Sequence, residues 1–442
     1  MKNRFIHRLV LASLLFGLFF GAGNLIFPIS IGQNSGASTP LSILGFIVSG
    51  VGLACLAVIF TAKSKKASLE ESLQPYGKVY ARVFTILLLL TIGPLFALPR
   101  TATVPYEVSI RLIVPGLDHN LGLFIYSLLF FSLATYLALK PEKIKGLVGV
   151  FINPMFLTML GIFFVVFIIN PMGPYDSTVA TQIYKGAPFT VGFQDGYQTM
   201  DVLAAMMFGF VVIHANDKQG EPHDHFKDII HASVYAGILM LIIYTLLSFM
   251  GASSAGILEI APNGGLAFGE IFVHYFGKVG LGFFGILISL ACLKTAIGLI
   301  VSSSTYFSTI IPKLTYSKMV FITSFSAFVI SNFGLSAIIE YAIPVLNFIY
   351  PLAIVHVFVG LFLKDWENKQ SILNFVLSFS ILASILEVLK TMSMFKDTKF
   401  FIFYTKSLPL SNYGISWVNI SVLGFILGLI YYKFTQNEQV SH

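Results

Sequence analysis

The residues Phe19-Phe20-Gly21-Ala22-Gly23-Asn24-Leu25-Ile26-Phe27-Pro28 interrupt the first long apolar stretch of the chain. Glycine tolerates backbone angles that other residues avoid, and proline lacks a donor and clashes with the preceding helical turn. We therefore expect the first membrane helix to break near its middle. Non-helical backbone at membrane depth persists only where it is buried in protein or lines a cavity. The alternative is a kinked helix whose glycines allow close approach to a neighbouring helix.

The composition is that of a polytopic membrane protein. The chain has 442 residues, of which 56% are hydrophobic and only 11% are charged. Soluble globular domains carry about 25% charged residues. The net charge of +7 does not indicate a nucleic-acid partner, because the basic residues cluster in short loops between apolar stretches. Cys55 and Cys292 lie inside apolar stretches, so we expect neither a disulfide framework nor a metal site.

Apolar stretches of about 20 residues predict an all-α polytopic membrane protein with about twelve transmembrane helices. They lie near residues 9–30, 41–61, 83–106, 121–139, 147–169, 198–213, 232–252, 280–305, 319–337, 338–361, 371–390 and 413–432. The N-terminus resembles a signal peptide, but its apolar stretch continues and further spans follow, so we interpret it as the first span. In the loop 253–279, residues 265–276 predict a short re-entrant or surface helix. We expect one membrane domain, 1–442, without a soluble domain or a nucleotide site.

Basic residues predict the orientation of the chain. Lys2, Arg4 and Arg8 precede the first span, and most of the other lysines and arginines lie in every second loop. Cytoplasmic loops of membrane proteins carry an excess of such residues. We therefore expect cytoplasmic N- and C-termini in a multi-pass protein of the plasma membrane. One cytoplasmic loop contains His223-Asp224-His225, which we interpret as solvated residues rather than metal ligands.

A second break is expected in span 6, at Met206-Met207-Phe208-Gly209-Phe210. Gly209 is the only glycine in this span, and spans 1 and 6 each begin a group of five, as an inverted repeat requires. A glycine used only for packing is the alternative. Asp201 lies just upstream, where we expect it to cap the N-terminus of the helix.

Charged residues mark the outer end of span 3. Arg100 and Glu107 lie in a segment with three prolines, which predicts an irregular, kinked helix. Glu107 and Arg111 are four residues apart and are expected to pair on a helix. An outer gate and a structural ion pair are both consistent with this pattern.

Lys294 lies near the middle of span 8, in Leu290-Ala291-Cys292-Leu293-Lys294-Thr295-Ala296. A lysine at the bilayer midplane costs about 2.5–3.5 kcal/mol on insertion scales and indicates a functional site. It is too far from either end of the span for its ammonium group to reach interfacial water. We therefore expect backbone carbonyls, a carboxylate or a water-filled cavity beside it.

At these residues the chain resembles the branched-chain amino acid:cation symporter family (LIVCS) of the amino acid–polyamine–organocation superfamily. The motifs that carry the resemblance are residues 19–28 and Gly93-Pro94-Leu95-Phe96-Ala97-Leu98-Pro99-Arg100-Thr101-Ala102-Thr103-Val104. Thr199-Met200-Asp201, Phe208-Gly209, Ala291-Cys292-Leu293, Thr295-Ala296 and residues 344–351 add support. The resemblance extends over nearly the whole chain.

The resemblance implies a LeuT-type fold of two inverted five-helix repeats, residues 1–170 and 198–361, with two peripheral helices in residues 371–432. It implies a secondary transporter, not an enzyme, that imports leucine, isoleucine and valine by alternating access. Sodium or protons would be the coupling ion, and no other cofactor is expected. The alternatives are a transporter or exchanger of another neutral amino acid on the same fold, and a non-transporting sensor. An oligomeric state is not implied.

The resemblance also implies site residues. The substrate, a small molecule, would contact Gly21, Ala22, Gly23, Asn24, Met207, Phe208 and Gly209. A cation site would involve Gly17, Phe20, Ala291, Lys294 and Thr295, and Arg100 and Glu107 would serve as gate residues. The chain departs from the family at one position, because Lys294 stands where a sodium ligand would be a hydroxyl. We hypothesise that its ammonium group replaces the ion, so that transport is proton-coupled, uncoupled or an exchange.

Overall fold

The computed structural model describes residues 2–140, 153–217, 225–396, 398–411 and 414–440, and these residues form helices without any strand. The helices are α1 Lys2–Phe19, α2 Ala22–Ser35, α3 Thr39–Ile47, α4 Leu53–Ser64, α5 Leu69–Leu73, α6 Lys78–Leu90, α7 Ala97–Pro105, α8 Arg111–Ile113, α9 His119–Ala138, α10 Asn153–Ile169, α11 Gln182–Lys185, α12 Pro188–Asp195, α13 Asp201–Asp217, α14 His225–Ser254, α15 Gly264–Ile310, α16 Tyr316–Ser331, α17 Leu335–Phe362, α18 Gln370–Thr391, α19 Ser393–Lys396, α20 Lys399–Ser407 and α21 Trp417–Val440.

Eight helical segments of the described chain are long and apolar enough to cross a membrane. They are Ala22–Ser64, Lys78–Ile113, His119–Ala138, Phe226–Ser254, Gly264–Ile310, Leu335–Phe362, Gln370–Thr391 and Trp417–Thr435. Shorter apolar helices cover Pro154–Ile169, Asp201–Phe210 and Tyr316–Ser331. The chain is therefore an all-helical, multi-pass membrane protein, and the count of twelve spans stays a prediction.

The first span is discontinuous, as its sequence predicts. Helix α1 ends at Phe19 and α2 begins at Ala22, so Phe20 and Gly21 lie between two half-helices. The amide of Phe20 still donates to the carbonyl of Phe16 at 2.7 Å, which closes the last turn of α1. Pro28 lies inside α2 and does not end it. The glycine-rich segment alone therefore accounts for the break.

Helix α15 contains both the predicted span 8 and the short helix expected before it. The two parts meet at Gly277, which has φ 64° and interrupts the helical backbone. The first part is not a surface helix, because Phe268 and Phe272 are fully buried. Their rings pack on Phe163 of α10, with centroids 5.5 and 4.8 Å away.

The sequence predicts a short turn around residues 331–334 between the spans near 319–337 and 338–361, and the structure has the turn there. Helix α16 ends at Ser331 and α17 begins at Leu335. Gly334 has φ 84°, a backbone conformation that glycine adopts without steric cost. The glycine, rather than the run of apolar residues, sets this boundary.

Helix α2 lies in direct backbone contact with α14. A Cβ atom at Gly251 would lie 2.2 Å from the carbonyl oxygen of Ile29, and one at Gly32 would lie 1.9 Å from that of Ser248. No side chain fits between the two helices at these points. This close approach fixes α2, and with it the broken segment, against α14.

We expect Gly251→Ala to destabilise the protein, because the added methyl group forces α2 and α14 apart. Overpacking of this kind costs about 1–3 kcal/mol. Gly298→Ala in α15 is the matched control, since a Cβ atom at Gly298 would meet open space out to 4 Å. The unfolding temperature of the purified protein should fall for the first variant and stay equal or rise for the second. Equal unfolding temperatures would contradict the close approach.

Candidate functional site

A cavity of about 40 Å³ lies where the first span is broken. One wall of the cavity is the broken segment of the first span, Gly21, Ala22, Gly23 and Asn24. A second wall is formed at the start of α13 by Thr199, Met200 and Asp201. Further polar atoms of the lining belong to Arg100, Gln198 and Thr295. The apolar part of the lining consists of Leu18, Phe19, Ile92, Ala97, Ala204, Phe208 and Leu299. The cavity therefore joins the break in the first span to residues on α7, α13 and α15.

A second break faces the first, but it is not where the sequence analysis expects it. Residues 206–210 lie inside the continuous helix α13, so the break predicted there is wrong. The chain instead leaves helical geometry at Met200, which has φ 61°, between the turn Gly196–Thr199 and α13. Thr199 Oγ1 accepts a hydrogen bond from the Asp201 amide at 3.3 Å across this point.

Gly209 has a packing role. A Cβ atom at this position would lie 2.2 Å from Oγ1 of Thr61, so α13 approaches α4 closely here. Phe208 lines the central cavity, whereas Met207 and Gly209 are not among its lining residues. A contact of these three residues with substrate stays a prediction.

The Asp201 carboxylate joins the two breaks and does not cap its own helix. Asn24 Nδ2 donates to both Asp201 carboxylate oxygens at 2.9 Å, and the Tyr244 hydroxyl donates to Oδ2 at 2.8 Å. Asn24 Nδ2 also contacts the Tyr244 hydroxyl. The other end of Asn24 accepts from the Gly21 amide at 2.8 Å. A single asparagine thus ties the unwound backbone of the first span to α13 and α14.

Arg100 is buried at the edge of the same cavity. Its Nη1 donates to the backbone carbonyl of Gln198 at 2.8 Å, and its Nη2 donates to the side-chain oxygen of Gln198 at 3.2 Å. The guanidinium carbon lies 5.2 Å from the centroid of the Phe27 ring, which is within range of a cation–π contact. Arg100 therefore holds the segment just before the second break.

Glu107 does not pair with Arg100. Its partner is Arg111, at 2.6 Å, as the spacing of four residues predicts. Glu107 is buried, with 3% of its side chain exposed, and Arg111 is 36% exposed. The gate role of Arg100 and Glu107 stays a prediction, and the two residues lie in different contacts.

Lys294 lies beside the carbonyl end of α1. A small cavity of about 20 Å³ is lined by Phe16, Gly17, Phe20, Phe156, Ala291 and Lys294. Four of the five residues implied for a cation site thus surround one space, and the fifth, Thr295, lines the central cavity. Within the described residues, no hydrogen bond or ion pair engages the Lys294 ammonium group. The last carbonyls of a helix favour a cation, so α1 supplies a suitable environment.

Two ion pairs hold the start of α1 against α14. Nε of Arg4 and of Arg8 lie 3.1 and 2.7 Å from the same oxygen of Asp228. The Asp228 side chain is fully buried, whereas those of Arg4 and Arg8 are 40% and 17% exposed. The half-helix that ends at the cavity is therefore tethered at its other end by charge.

Sequence reasoning missed the residues that shape the second break. Met200 gives no sequence signal, because a left-handed conformation in a non-glycine residue is set by its surroundings. Tyr244 is a polar group inside an apolar stretch, and this pattern is a signal that could have found it, whereas Gln198 lies among polar residues and gives no such signal. Groups of three or more metal-binding side chains are absent from the described part of the chain. His223-Asp224-His225 falls outside the residues whose side chains the structure describes.

Comparison with known proteins gives one family. The family model described as "Branched-chain amino acid transport protein" matches residues 5–435. The branched-chain amino acid permease BrnQ of Lactobacillus delbrueckii subsp. lactis is 37% identical over 437 residues, which covers 97% of this chain and 98% of the relative. The branched-chain amino acid permease BraB of Bacillus subtilis (strain 168) is 36% identical, covering 96% of this chain and 94% of the relative.

Solved transporters share the fold at low identity. The structure of MhsT in complex with L-phenylalanine has a TM-score of 0.58 and 15% identity, covering 96% of this chain and 97% of that chain. Mhp1, a nucleobase-cation-symport-1 family transporter with bromovinylhydantoin bound, has a TM-score of 0.57 and 14% identity, covering 97% and 93%. Both are LeuT-fold transporters, so the LeuT-like fold expected from the sequence is supported.

Met200 provides a test of the second break. Met200→Ile should lower both the unfolding temperature and substrate uptake, because a β-branched residue is strained at positive φ. The strain in a left-handed conformation is about 1–2 kcal/mol. Met200→Leu has a similar volume without the branch and should resemble the wild type more closely. Met206→Ile, inside regular α13, is the positional control, and equal losses at residues 200 and 206 would refute the break at Met200.

Asp228 provides a test of the tether. Asp228→Asn should speed amide hydrogen exchange in residues 2–19 by about tenfold, because charge-assisted hydrogen bonds to two arginines are lost. Asp176→Asn removes an exposed carboxylate elsewhere and should leave this exchange unchanged. Unchanged exchange of α1 in the Asp228 variant would show that packing alone holds the half-helix.

Proposed function

Because the chain belongs to the branched-chain amino acid transport protein family, we propose that it imports leucine, isoleucine and valine across the plasma membrane. The relatives are permeases and the chain is a transporter, not an enzyme. It works as a secondary transporter of the LeuT fold. The finer architecture that we propose has twelve spans, inverted repeats in residues 1–170 and 198–361, peripheral helices in 371–432, and cytoplasmic termini.

The observation that carries this function is the meeting of two broken helices at one cavity. The first residues of α2 and of α13 present amide groups that have no partner within their own helix. A carboxylate is stabilised by such amides and by the positive end of the helix dipole. The end of α1 presents carbonyls, which favour an ammonium group. The α-carboxylate and α-amine of an amino acid therefore match the backbone around Gly21–Asn24 and Thr199–Asp201.

The apolar part of the lining supports a branched aliphatic side chain. Ile92, Phe208 and Leu299 contribute side chains without hydrogen-bonding groups. A polar substrate side chain there would lose its hydrogen bonds to water, at a cost of roughly 1–3 kcal/mol for each group. The lining thus disfavours polar amino acids and accepts leucine, isoleucine or valine.

The size of the cavity supports alternating access. A volume of about 40 Å³ holds only a few water-sized molecules, which is less than an amino acid needs. The two walls must separate to admit the substrate. The first wall belongs to α1 and α2, which are fastened to α14, and α13 packs on α4. We propose that spans 1, 2, 6 and 7 move together against the remaining helices to expose the site on either side.

Lys294 is the basis for the proposed coupling. Its ammonium group lies beside Gly17, Phe20 and Ala291, where the family resemblance implies a cation. A fixed positive charge repels sodium, and it is favoured by the negative end of the α1 dipole without a hydrogen bond to its carbonyls. A lysine can release its proton, so proton loss from Lys294 would remove the positive charge beside these carbonyls. Proton coupling through Lys294 is therefore the mechanism that we propose.

Uptake of labelled leucine into proteoliposomes tests substrate and coupling together. We expect saturable, concentrative uptake that a pH gradient drives without sodium, and competition by isoleucine and valine that exceeds competition by phenylalanine or glutamine. Lys294→Thr should abolish the pH-driven component, because it removes the titratable group and restores a hydroxyl. The exposed Lys278→Thr is the matched control and should retain pH-driven uptake.

Three outcomes would contradict parts of the proposed function. Uptake that requires sodium in the wild type would mean that the ion binds elsewhere, while the family assignment would stand. An unchanged driving ion and pH profile in Lys294→Thr would exclude Lys294 from coupling. Binding without any transport would favour a sensor on the same fold.

A further inference from the structure

Two buried charges face the central cavity without a counter-ion among the described residues. The first is Arg100, which is only 2% exposed. Both of its hydrogen bonds go to Gln198, an uncharged residue, and its Nε has no partner. Within the described chain, no carboxylate lies within 4.0 Å of its nitrogens. A guanidinium group with a free donor therefore lines the central cavity, between the two broken segments.

The second charge is Asp201, which is 1% exposed. Its carboxylate accepts hydrogen bonds from Asn24 and Tyr244, which are neutral donors. Within the described residues, no lysine, arginine or histidine nitrogen lies within 4.0 Å of its oxygens. Three hydrogen bonds leave further lone pairs on the carboxylate, since its two oxygens accept about four. The group is held in place and still able to accept a donor.

The two charges do not neutralise each other. They lie on different elements, Arg100 on α7 and Asp201 at the start of α13, and no ion pair joins them. Each ionised side chain inside a membrane costs several kcal/mol unless it is paired or hydrated. Both costs are reduced at once by a ligand that carries a negative and a positive charge. A zwitterion has this property, and a singly charged molecule does not.

The backbone around each charge has the matching polarity. Arg100 reaches the Gln198 carbonyl, which lies 3.7 Å from the Cβ position of Gly23, so its guanidinium lies near the amino end of α2. That helix end favours a negative charge. Asp201 is tied through Asn24 to Gly21, at the gap that follows the carbonyl end of α1. The cavity thus has a side suited to a carboxylate and a side suited to an ammonium group.

The geometry points to a charge clamp, in which Arg100 binds the carboxylate of the substrate and Asp201 binds its ammonium group. The clamp rests on the proposed function, because it takes an amino acid as the substrate. It goes beyond that function by assigning the recognition of the α-carbon groups to two side chains. It makes the site selective for α-amino acids over molecules with the same tail and only one charge.

Analogues of leucine that lack one charge test the clamp. The probes are leucine, 4-methylpentanoate, which lacks the ammonium group, and 3-methylbutylamine, which lacks the carboxylate. Binding of each to the purified protein in nanodiscs is measured directly, from the ligand-dependent rise in unfolding temperature. We expect the wild type to bind leucine at least about tenfold more tightly than either analogue, because each lost charge removes a charge-assisted hydrogen bond.

The variants should remove this preference selectively. Asp201→Asn should lower the affinity for leucine by roughly 10- to 100-fold and leave the affinity for 4-methylpentanoate almost unchanged. Arg100→Gln should lower the affinity for leucine to a similar extent and leave the affinity for 3-methylbutylamine almost unchanged. Asp195→Asn is the control, because its carboxylate accepts from the Tyr184 hydroxyl and does not line the cavity. This control should keep the wild-type ratios of the three affinities.

The conservative variants Asp201→Glu and Arg100→Lys keep each charge and serve if a neutral variant fails to fold. Asp201→Glu should keep more of the preference for leucine over 4-methylpentanoate than Asp201→Asn does, and Arg100→Lys more of the preference over 3-methylbutylamine than Arg100→Gln does. Where the neutral variant does not fold, the conservative variant should still lose part of this preference, because it displaces the charge. Affinity ratios that stay at the wild-type value in every folded variant would overturn the clamp. So would loss of sodium-dependent binding in Asp201→Asn with unchanged ratios, because the carboxylate would then serve an inorganic cation. A wild type that binds neither leucine nor any other amino acid would instead overturn the proposed function, and the clamp with it.

Discussion

The demand of the peptide backbone for hydrogen-bond partners inside a bilayer constrains every other feature of this protein. A helix that crosses without interruption satisfies its own amides and carbonyls, whereas a broken one leaves several of each exposed. The chain breaks at Phe20–Gly21 and again at Met200, and both interruptions face the same cavity. Asn24 is the common element, since it contacts the backbone of the first break and the carboxylate beside the second. The exposed groups are thereby concentrated in one place, where a ligand can satisfy them.

Close packing of the surrounding helices holds the two broken segments, and their exposed backbone groups, in place. Glycines at positions 32 and 251 bring the backbones of α2 and α14 together, and Gly209 lets α13 pack directly against the side chain of Thr61 on α4. Each contact attaches a half-helix to a continuous neighbour, so that the unwound residues need not support themselves. The glycines of this chain therefore have two distinct uses. Those near residue 21 release the backbone from helical geometry, and the others allow helices to approach.

This double use explains what the sequence could and could not predict. The break in the first span was predictable, because three glycines and an asparagine cluster within a few residues, which favours an interrupted helix over a regular one. The break in span 6 was not, because Gly209 looks the same in sequence whether it unwinds a helix or packs against Thr61. Met200 is held in a left-handed conformation by its neighbours, which only the folded chain contains. The role of Asp201 was missed for the same reason, since its partners Asn24 and Tyr244 are 177 and 43 residues away.

The coupling proposed for Lys294 rests on the same electrostatic argument as the substrate site. The carbonyl end of α1 needs a positive charge, and the amino end of α2 needs a negative one. In the charge clamp that we propose, the negative charge comes from the substrate, because Asp201 is the only carboxylate among the described residues of the cavity lining and it is already bound by Asn24. The positive charge is carried by the protein itself, on a side chain that cannot leave. A tethered cation can alter its effect on α1 only by changing its protonation or its position. The coupling that we propose at this site therefore works through proton movement or through displacement of α15, and not through the departure of a bound ion.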